Sequence, residues 1–211
     1  MKRTIMLEFF YRGGPVMYPL LFCSLLSLTL IIERFIFWTR EENNRDRKLL
    51  TRFMELIETN NLKRAKEITE DTRDFIIRVL VCGIVHREFS LRDALQMSAD
   101  EEMGRMRKYL PILDTMITLA PLLGILGTVI GIISSFNMLG TVGVENPRMI
   151  TAGIGQALIT TAFGLIIAIF ALIPFNYFQS RIDNAVREME KYGTSLEIIF
   201  EKNKNGADSK P

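Results

Sequence analysis

The chain has 211 residues, of which 48% are hydrophobic and 24% are charged, and its formal net charge at pH 7 is +2. A charge so close to zero, without a basic stripe, argues against a nucleic-acid partner. Two cysteines make no disulfide framework. The only histidine, His86, lies in a charged region and is interpreted as a surface residue. Because no metal cluster, nucleophile–base pair or phosphate loop is evident, we predict neither an enzyme nor a metal or cofactor site.

Charged residues are absent from three long stretches. These run from Gly13 to Ile32, from Thr115 to Val144 and from Met149 to Ser180. A helix needs about 20 apolar residues to cross a bilayer, and each stretch reaches that length. We therefore predict an all-α membrane protein with three transmembrane helices and a cytoplasmic helical domain.

Each segment takes its bounds from the charges, prolines and glycines around these stretches. In chain order, the predicted segments are an interfacial amphipathic segment (1–12), transmembrane helix 1 (13–38), a cytoplasmic helical domain (39–108), transmembrane helix 2 (109–139), a periplasmic hairpin (140–149), transmembrane helix 3 (150–178), and a cytoplasmic C-terminal helix and tail (179–211). We expect the end of the tail, residues 202–211, to be disordered because it is polar and terminal.

The cytoplasmic domain has a helical pattern. Apolar residues recur at three- and four-residue spacing between positions 49 and 57, which is typical of an amphipathic helix. Asn60 and Asn61 predict a helix break and a new cap. Ser90, followed three residues later by Asp93, predicts the N-cap of a helix that continues into the second span. We expect a small antiparallel helical bundle without a β-sheet.

Basic residues near the ends of the spans predict the orientation, since cytoplasmic flanks carry more of them. If the chain crosses three times, the basic residues near the span ends fall into two groups on opposite sides of the membrane. One side has Arg34, Arg40, Arg105, Arg107, Lys108, Arg181 and Arg187, and the other has Lys2, Arg3, Arg12 and Arg148. The larger group predicts a periplasmic N-terminus and a cytoplasmic C-terminus.

Small and polar residues form a stripe on the second span and another on the third. Helices in lipid associate through small residues and polar groups rather than through hydrophobic burial. The second span carries Asp114, Thr118, Pro121, Gly124, Thr128, Gly131 and Ser135 at steps of three and four, and the third carries Gly153, Ala157, Thr161, Gly164, Ala168 and Ala171, with Gln156 and Thr160 at the edge.

Two interpretations of these stripes stay open. Close helix packing accounts for Pro121 and for the glycines and alanines. The polar groups together favour a hydrated ion pathway, with Asp114 at its cytoplasmic mouth or as a plain interfacial charge. The pathway residues would be Thr128, Ser135, Gln156, Thr160 and Thr161.

The spans carry no proton relay of their own. No Asp, Glu, His, Lys or Arg stands between Asp114 and Glu145 or in the third span. Proton pathways through membranes use ionisable side chains. If this chain moves protons, another subunit must supply the carrier.

Two runs resemble the motifs of a known family. The run from Ala120 to Ile133, APLLGILGTVIGII, resembles the second-span motif of the ExbB/TolQ/MotA proton-channel family, and the run from Gly153 to Leu165, GIGQALITTAFGL, resembles its third-span motif. The segment GGPVM at 13–17, followed by Glu33-Arg34, is similar to the first-span region of ExbB-type members. The length and the three spans favour the ExbB/TolQ branch over the four-span MotA branch.

The resemblance implies a motor or channel subunit of the bacterial inner membrane that uses the proton-motive force for work at the outer membrane. Five copies would form a ring lined by the second and third spans. A dimer of an ExbD- or TolR-like protein would place helices carrying an aspartate in the pore, and a TonB- or TolA-like protein would be a further partner. Thr128 and Thr161 match the pore-lining threonines of the family.

Gln156 departs from the pattern, because many ExbB and TolQ proteins have glutamate there. An amide can hydrogen-bond but cannot hold a proton for relay. A Na⁺-driven variant stays open, since threonine oxygens suit a hard cation. A TolQ-like motor for envelope integrity and a membrane scaffold whose stripes only pack helices stay open as well.

Overall fold

The structure is a computed structural model that describes residues 13–142 and 147–208. Within these ranges all regular structure is helical, as predicted. The predicted interfacial segment 1–12 and positions 143–146 of the predicted hairpin lie outside the described residues. The helices are α1 (Met17–Asn43), α2 (Arg47–Glu58), α3 (Leu62–Glu67), α4 (Phe75–Val85), α5 (Arg87–Arg107), α6 (Leu110–Val142) and α7 (Pro147–Asp208).

Three of these helices are long and apolar enough to cross a membrane, which confirms the predicted fold class. The candidate spans are Met17–Asn43, Leu110–Gly140 and Thr151–Asn203. Their outward side chains are apolar and exposed, as at Phe22 and Phe170. A helix that is hydrophobic on every side is typical of a membrane span.

The chain divides into two units. The apolar unit comprises Met1–Arg34 and Tyr109–Tyr177, and the charged unit comprises Phe35–Lys108 and Phe178–Pro211. The charged unit therefore includes the ends of α1 and α7 as well as the region between the first two spans. The C-terminal part of α7 belongs there because it is amphipathic and buries apolar side chains such as Ile182, Met189 and Leu196.

In the apolar unit, α1 packs against α6 and α7 at two levels. One cluster joins Val16, Met17, Leu20 and Ala120 with the partly buried Leu123, Phe163 and Ile167. The other joins Leu30, Leu113 and Ala171 with neighbours that include Leu26, Ile117 and Phe175.

Helix ends in the charged unit are capped by short polar side chains. The predicted break is confirmed: Asn60 has a φ of 57° and Asn61 accepts a hydrogen bond from the backbone N–H of Arg64 at 3.4 Å. The predicted cap at Ser90 is also confirmed. Its backbone is non-helical and interrupts α5 at a kink, and its hydroxyl oxygen accepts from the N–H of Asp93 at 3.2 Å. Each cap satisfies an N–H that has no partner within its helix.

The prediction that the helix from Ser90 continues into the second span was wrong. α5 ends at Arg107, and Tyr109 has a φ of +69° before α6 begins at Leu110. Pro111 explains the interruption. In a continuous helix its ring would clash with the carbonyl of Arg107, and it has no N–H to donate there, whereas proline is well suited to a first helical turn.

The expected disorder of the tail was wrong for residues 202–208, because the backbone of α7 is helical through Asp208. The last residues, 209–211, lie outside the described part. A helix that has already started gains one hydrogen bond for each residue added, so the long α7 extends into this segment although its asparagines and glycine are poor helix formers.

Asp74 links three segments of the charged unit. It is fully buried and caps α4 by accepting from the N–H of Ile76 at 2.9 Å, while its second oxygen accepts from the N–H of Asp46 at 3.0 Å. The same carboxylate lies 3.1 Å from Nε of Arg45, whose Nη1 is 2.7 Å from Glu188 on α7. The Asp74 side chain thus connects the residue that precedes α2 with the start of α4 and, through Arg45, with the C-terminal part of α7.

We predict that Asp74→Asn lowers the free energy of unfolding by about 2 kcal/mol, because charge-assisted hydrogen bonds are worth more than neutral ones. Thermal unfolding followed by circular dichroism in detergent measures the loss. Asp71→Asn is the control, because Asp71 is exposed and surface substitutions usually change stability by no more than about 0.5 kcal/mol. Equal losses in the two variants would contradict the assigned role.

Candidate ion pathway

The two small-residue stripes meet where α6 contacts α7. A Cβ on Gly124 would lie 3.0 Å from Cα of Thr161, and a Cβ on Gly164 would lie 2.5 Å from the carbonyl oxygen of Ala120. Farther along, a Cβ on Gly131 would lie 2.7 Å from the carbonyl oxygen of Gly153. The backbones are therefore in direct contact, and only hydrogen fits as a side chain at these glycines. The remaining predicted packing residues are Pro121, which is half-buried within α6, and Ala157, which is buried against Gly131.

Thr128 and Thr161 form a hydroxyl pair across this contact. Their Oγ1 atoms are 2.8 Å apart, and each lies 3.1 Å from the carbonyl oxygen of Gly124. Thr161 also lies 3.2 Å from the carbonyl oxygen of Ala157. The two hydroxyls hold only two protons, so one donates to the other and the second donates to a carbonyl. Each hydroxyl oxygen has two acceptor lone pairs, and unused ones remain on this half-buried pair. The pair can therefore accept a hydrogen bond from water or from a protonated carboxyl group.

Thr160 and Ser135 have a different environment. Thr160 is fully buried and donates a hydrogen bond to the carbonyl oxygen of Ala157 at 2.9 Å. Its side chain packs directly against Gly127, because a Cβ on Gly127 would lie 2.3 Å from the hydroxyl oxygen of Thr160. Ser135 is buried and donates to the carbonyl oxygen of Gly131 at 3.0 Å. The structure thus encloses both between α6 and α7, away from the chain surface.

Gln156 contacts the first helix. A Cβ on Gly14 would lie 2.0 Å from Nε2 of Gln156, so the amide lies directly against the turn that precedes α1. Gly14 has a φ of +71°, a conformation that favours glycine. The sequence patterns did not predict this contact, although two glycines, Gly13 and Gly14, stand together before α1. The pair of glycines was the available sign that something approaches the backbone there.

Asp114 lies near the start of α6. Its side chain is exposed, and it forms no ion pair among the described residues. Its backbone carbonyl accepts from the hydroxyl of Thr118 at 3.3 Å. The predicted stripe is therefore exposed at Asp114 and Thr118, buried at Gly124, Gly131 and Ser135, and half-buried at Thr128.

Comparison with known proteins identifies the family. A sequence profile of the MotA/TolQ/ExbB proton channel family matches residues 45–191. The chain belongs to this family. It is 40% identical over 205 residues to "putative biopolymer transport protein ExbB-like 1" of Synechocystis sp., an alignment that covers 92% of this chain and 79% of that protein.

Two further relatives of this chain carry the names ExbB and TolQ. "Biopolymer transport protein exbB1" of Vibrio cholerae is 29% identical over 184 residues, covering 84% of this chain and 80% of the relative. "Tol-Pal system protein TolQ" of Pseudomonas aeruginosa is 31% identical over 115 residues, covering 54% and 50%. The resemblance predicted from the motifs is confirmed. The chain is a multi-pass membrane protein of a family of channels rather than of enzymes.

Proposed function

We propose that this chain is the ring-forming subunit of a proton-driven motor that energises biopolymer transport. The observation that carries the proposal is the hydroxyl pair of Thr128 and Thr161, 2.8 Å apart on two apolar spans. Membership of a proton-channel family supports H⁺ over Na⁺ as the driving ion. A charge crossing the membrane releases about 2.3 kcal/mol per 100 mV, which is enough to bias a packed helix interface between two arrangements.

The proton carrier in this proposal comes from a second polypeptide. Residues 115–144 and 149–180 contain no Asp, Glu, His, Lys or Arg, so these parts of the second and third spans hold no charged group that could carry a proton. An ExbD- or TolR-like dimer with one span per chain and an intramembrane carboxyl group supplies it. The hydroxyls of Thr128 and Thr161 hydrogen-bond that group in both of its protonation states: a hydroxyl oxygen accepts from the carboxylic acid, and a hydroxyl proton that turns away from the carbonyl of Gly124 donates to the carboxylate.

The assembly proposed is a pentamer around that dimer in the bacterial inner membrane. Its N-terminus is periplasmic and its C-terminus is cytoplasmic, which agrees with the excess of basic residues flanking the spans on the cytoplasmic side. A TonB- or TolA-like protein carries the work to the outer membrane. Transport of the ExbB kind is favoured over a TolQ-like role, because the relatives that align with most of this chain carry the ExbB name, whereas the TolQ relative aligns with about half.

Co-purification tests the assembly. The full chain, expressed with a candidate partner that has one span and an intramembrane acidic residue, is extracted in mild detergent and weighed by native mass spectrometry. We expect a complex of five copies of this chain with two of the partner. A chain that forms no ring and retains no partner would instead favour a scaffold in which the stripes serve only packing.

A further inference from the structure

The charged unit contains a cavity of about 400 Å³ lined by parts of α1, α2, α4 and α7. Five lining residues are cationic and three are anionic, so the lining has a net positive charge. The cationic lining residues are Arg45, Arg47, Arg181, Arg187 and Lys191, and Trp38 also lines the cavity.

Every carboxylate in the lining is already paired. Glu188 lies 2.7 Å from Arg45, and Glu42 pairs with Arg181. Glu41 lies 3.7 Å from Arg78, which is outside the cavity. Arg45 is shared between Glu188 and Asp74, and Arg181 is paired with Glu42, so the positive charge that is not engaged in ion pairs lies on other residues of the lining.

Three exposed cations carry this excess: Arg47, Arg187 and Lys191. None of them forms an ion pair among the described residues; Arg187 donates only to the amide of Asn184, and Lys191 lies over the ring of Tyr192. Guanidinium groups bind phosphate oxygens through two parallel hydrogen bonds. The chemistry of the cavity thus matches a phosphate monoanion or diester.

The position along the chain places this cavity beside the lipid headgroups. Trp38 and Phe178 end the apolar parts of α1 and α7. Along α7, Arg181 follows Phe178 by about 5 Å and Arg187 follows it by about 14 Å. The headgroup layer of a bilayer is about 5–8 Å thick on each side. Because helical side chains tilt toward the N-terminus of their helix, Arg187 points back toward the membrane. The indole N–H of Trp38 is buried without a hydrogen-bond acceptor among the described residues, and Arg181 stacks over its ring at 5.2 Å.

We propose that this cavity binds the phosphate headgroup of an anionic phospholipid from the cytoplasmic leaflet. Arg47 and Arg187 hold the phosphate, and Lys191 contributes charge at the outer rim. Trp38 and the stacked Arg181 form the side facing the acyl chains. This proposal does not depend on the ion pathway, because no residue of the cavity belongs to the α6–α7 stripes.

Trp38 is the only tryptophan of the chain, so its fluorescence reports on this site alone. The full chain is reconstituted into phosphatidylcholine vesicles that contain equal mole fractions of either brominated phosphatidylglycerol or brominated phosphatidylcholine. Attraction of a basic residue to an anionic surface corresponds to about a fivefold change in binding constant per residue. We therefore expect phosphatidylglycerol to quench Trp38 with a relative binding constant at least about fivefold higher than that of phosphatidylcholine.

The double variant Arg47→Gln/Arg187→Gln should bring this ratio close to one. Arg47→Lys/Arg187→Lys keeps the charges but loses the paired hydrogen bonds, so it should give an intermediate ratio. Arg92→Gln is the matched control, because Arg92 is exposed in the same unit and does not line the cavity. Equal quenching by the two lipids in the unsubstituted chain would overturn the proposal. An equal loss of the preference in Arg92→Gln would also overturn it. A third contrary result would be that 50 mM inorganic phosphate removes the preference while chloride at about the same ionic strength does not, since the ligand would then be free phosphate.

Discussion

Replacing Thr161 with valine should abolish proton flux through the assembled complex and leave the complex itself intact. Valine keeps the shape of threonine but removes the hydroxyl that lies 2.8 Å from Thr128 and 3.1 Å from the carbonyl of Gly124. A protonated carboxyl group arriving at this contact would then lose an acceptor. Removing one preorganised hydrogen-bonding group from an oxyanion hole costs about a hundredfold in rate or more, and we expect a loss of at least that order here.

Flux into vesicles that contain the chain and its partner, driven by an imposed pH gradient, measures the effect. Thr29→Val is the control: Thr29 is exposed on α1 and its hydroxyl bonds only the carbonyl of Leu25 in its own helix. The control should conduct like the unsubstituted protein. Unchanged flux in Thr161→Val, with native mass confirming the same assembly, would count against a pathway at the hydroxyl pair.

Gly164→Ala should disrupt the packing of α6 against α7. The added Cβ would lie 2.5 Å from the carbonyl oxygen of Ala120 and 3.2 Å from Cα of Gly124. Both atoms belong to the backbone, so no side-chain rotation relieves the clash and the helices must separate. Overpacking typically costs about 1–3 kcal/mol, and we expect the upper end of that range here.

Gly155→Ala is the matched control on the same helix, because a Cβ there meets no atom within 4 Å. Helix propensity favours alanine over glycine by about 1 kcal/mol, so the control should be neutral or slightly stabilised. The midpoint of thermal unfolding in detergent, read by circular dichroism, distinguishes the two. Similar midpoints for Gly164→Ala and the unsubstituted chain would show that the helices are not in backbone contact there.

Much of the apolar unit could be predicted from the sequence, because two local patterns determine it. The absence of charge over 115–144 and 149–180 identifies the spans. Small residues at steps of three and four identify the faces that meet, and Gly124, Gly131 and Gly164 do lie in that contact.

Periodicity did not separate the adjacent hydroxyls of Thr160 and Thr161. Both lie near the same stripe, and only the register of α7 on α6 shows that Thr160 is fully buried while Thr161 reaches Thr128. That register depends on contacts between residues 33 positions apart in the chain. Single-helix patterns carry no information about such contacts.

The charged unit was predicted less well, for two physical reasons. Apolar spacing continues from α5 into α6, which concealed the stop that Pro111 imposes at Lys108 and Tyr109. The assignment of the C-terminal part of α7 to this unit depends on long-range pairs such as that of Arg45 with Glu188, 143 residues apart. Charge patterns on one helix do not identify a partner at that distance.

The central claim is that the spans provide the hydroxyls of the pathway and a different polypeptide provides its acid. Proton flux should therefore be measured in three preparations of vesicles under the same pH gradient: this chain alone, the chain with its single-span partner, and the chain with a partner whose intramembrane carboxyl group is replaced by an amide. The account predicts flux in the second preparation only. Flux through the chain alone, or undiminished flux with the amide-bearing partner, would contradict it.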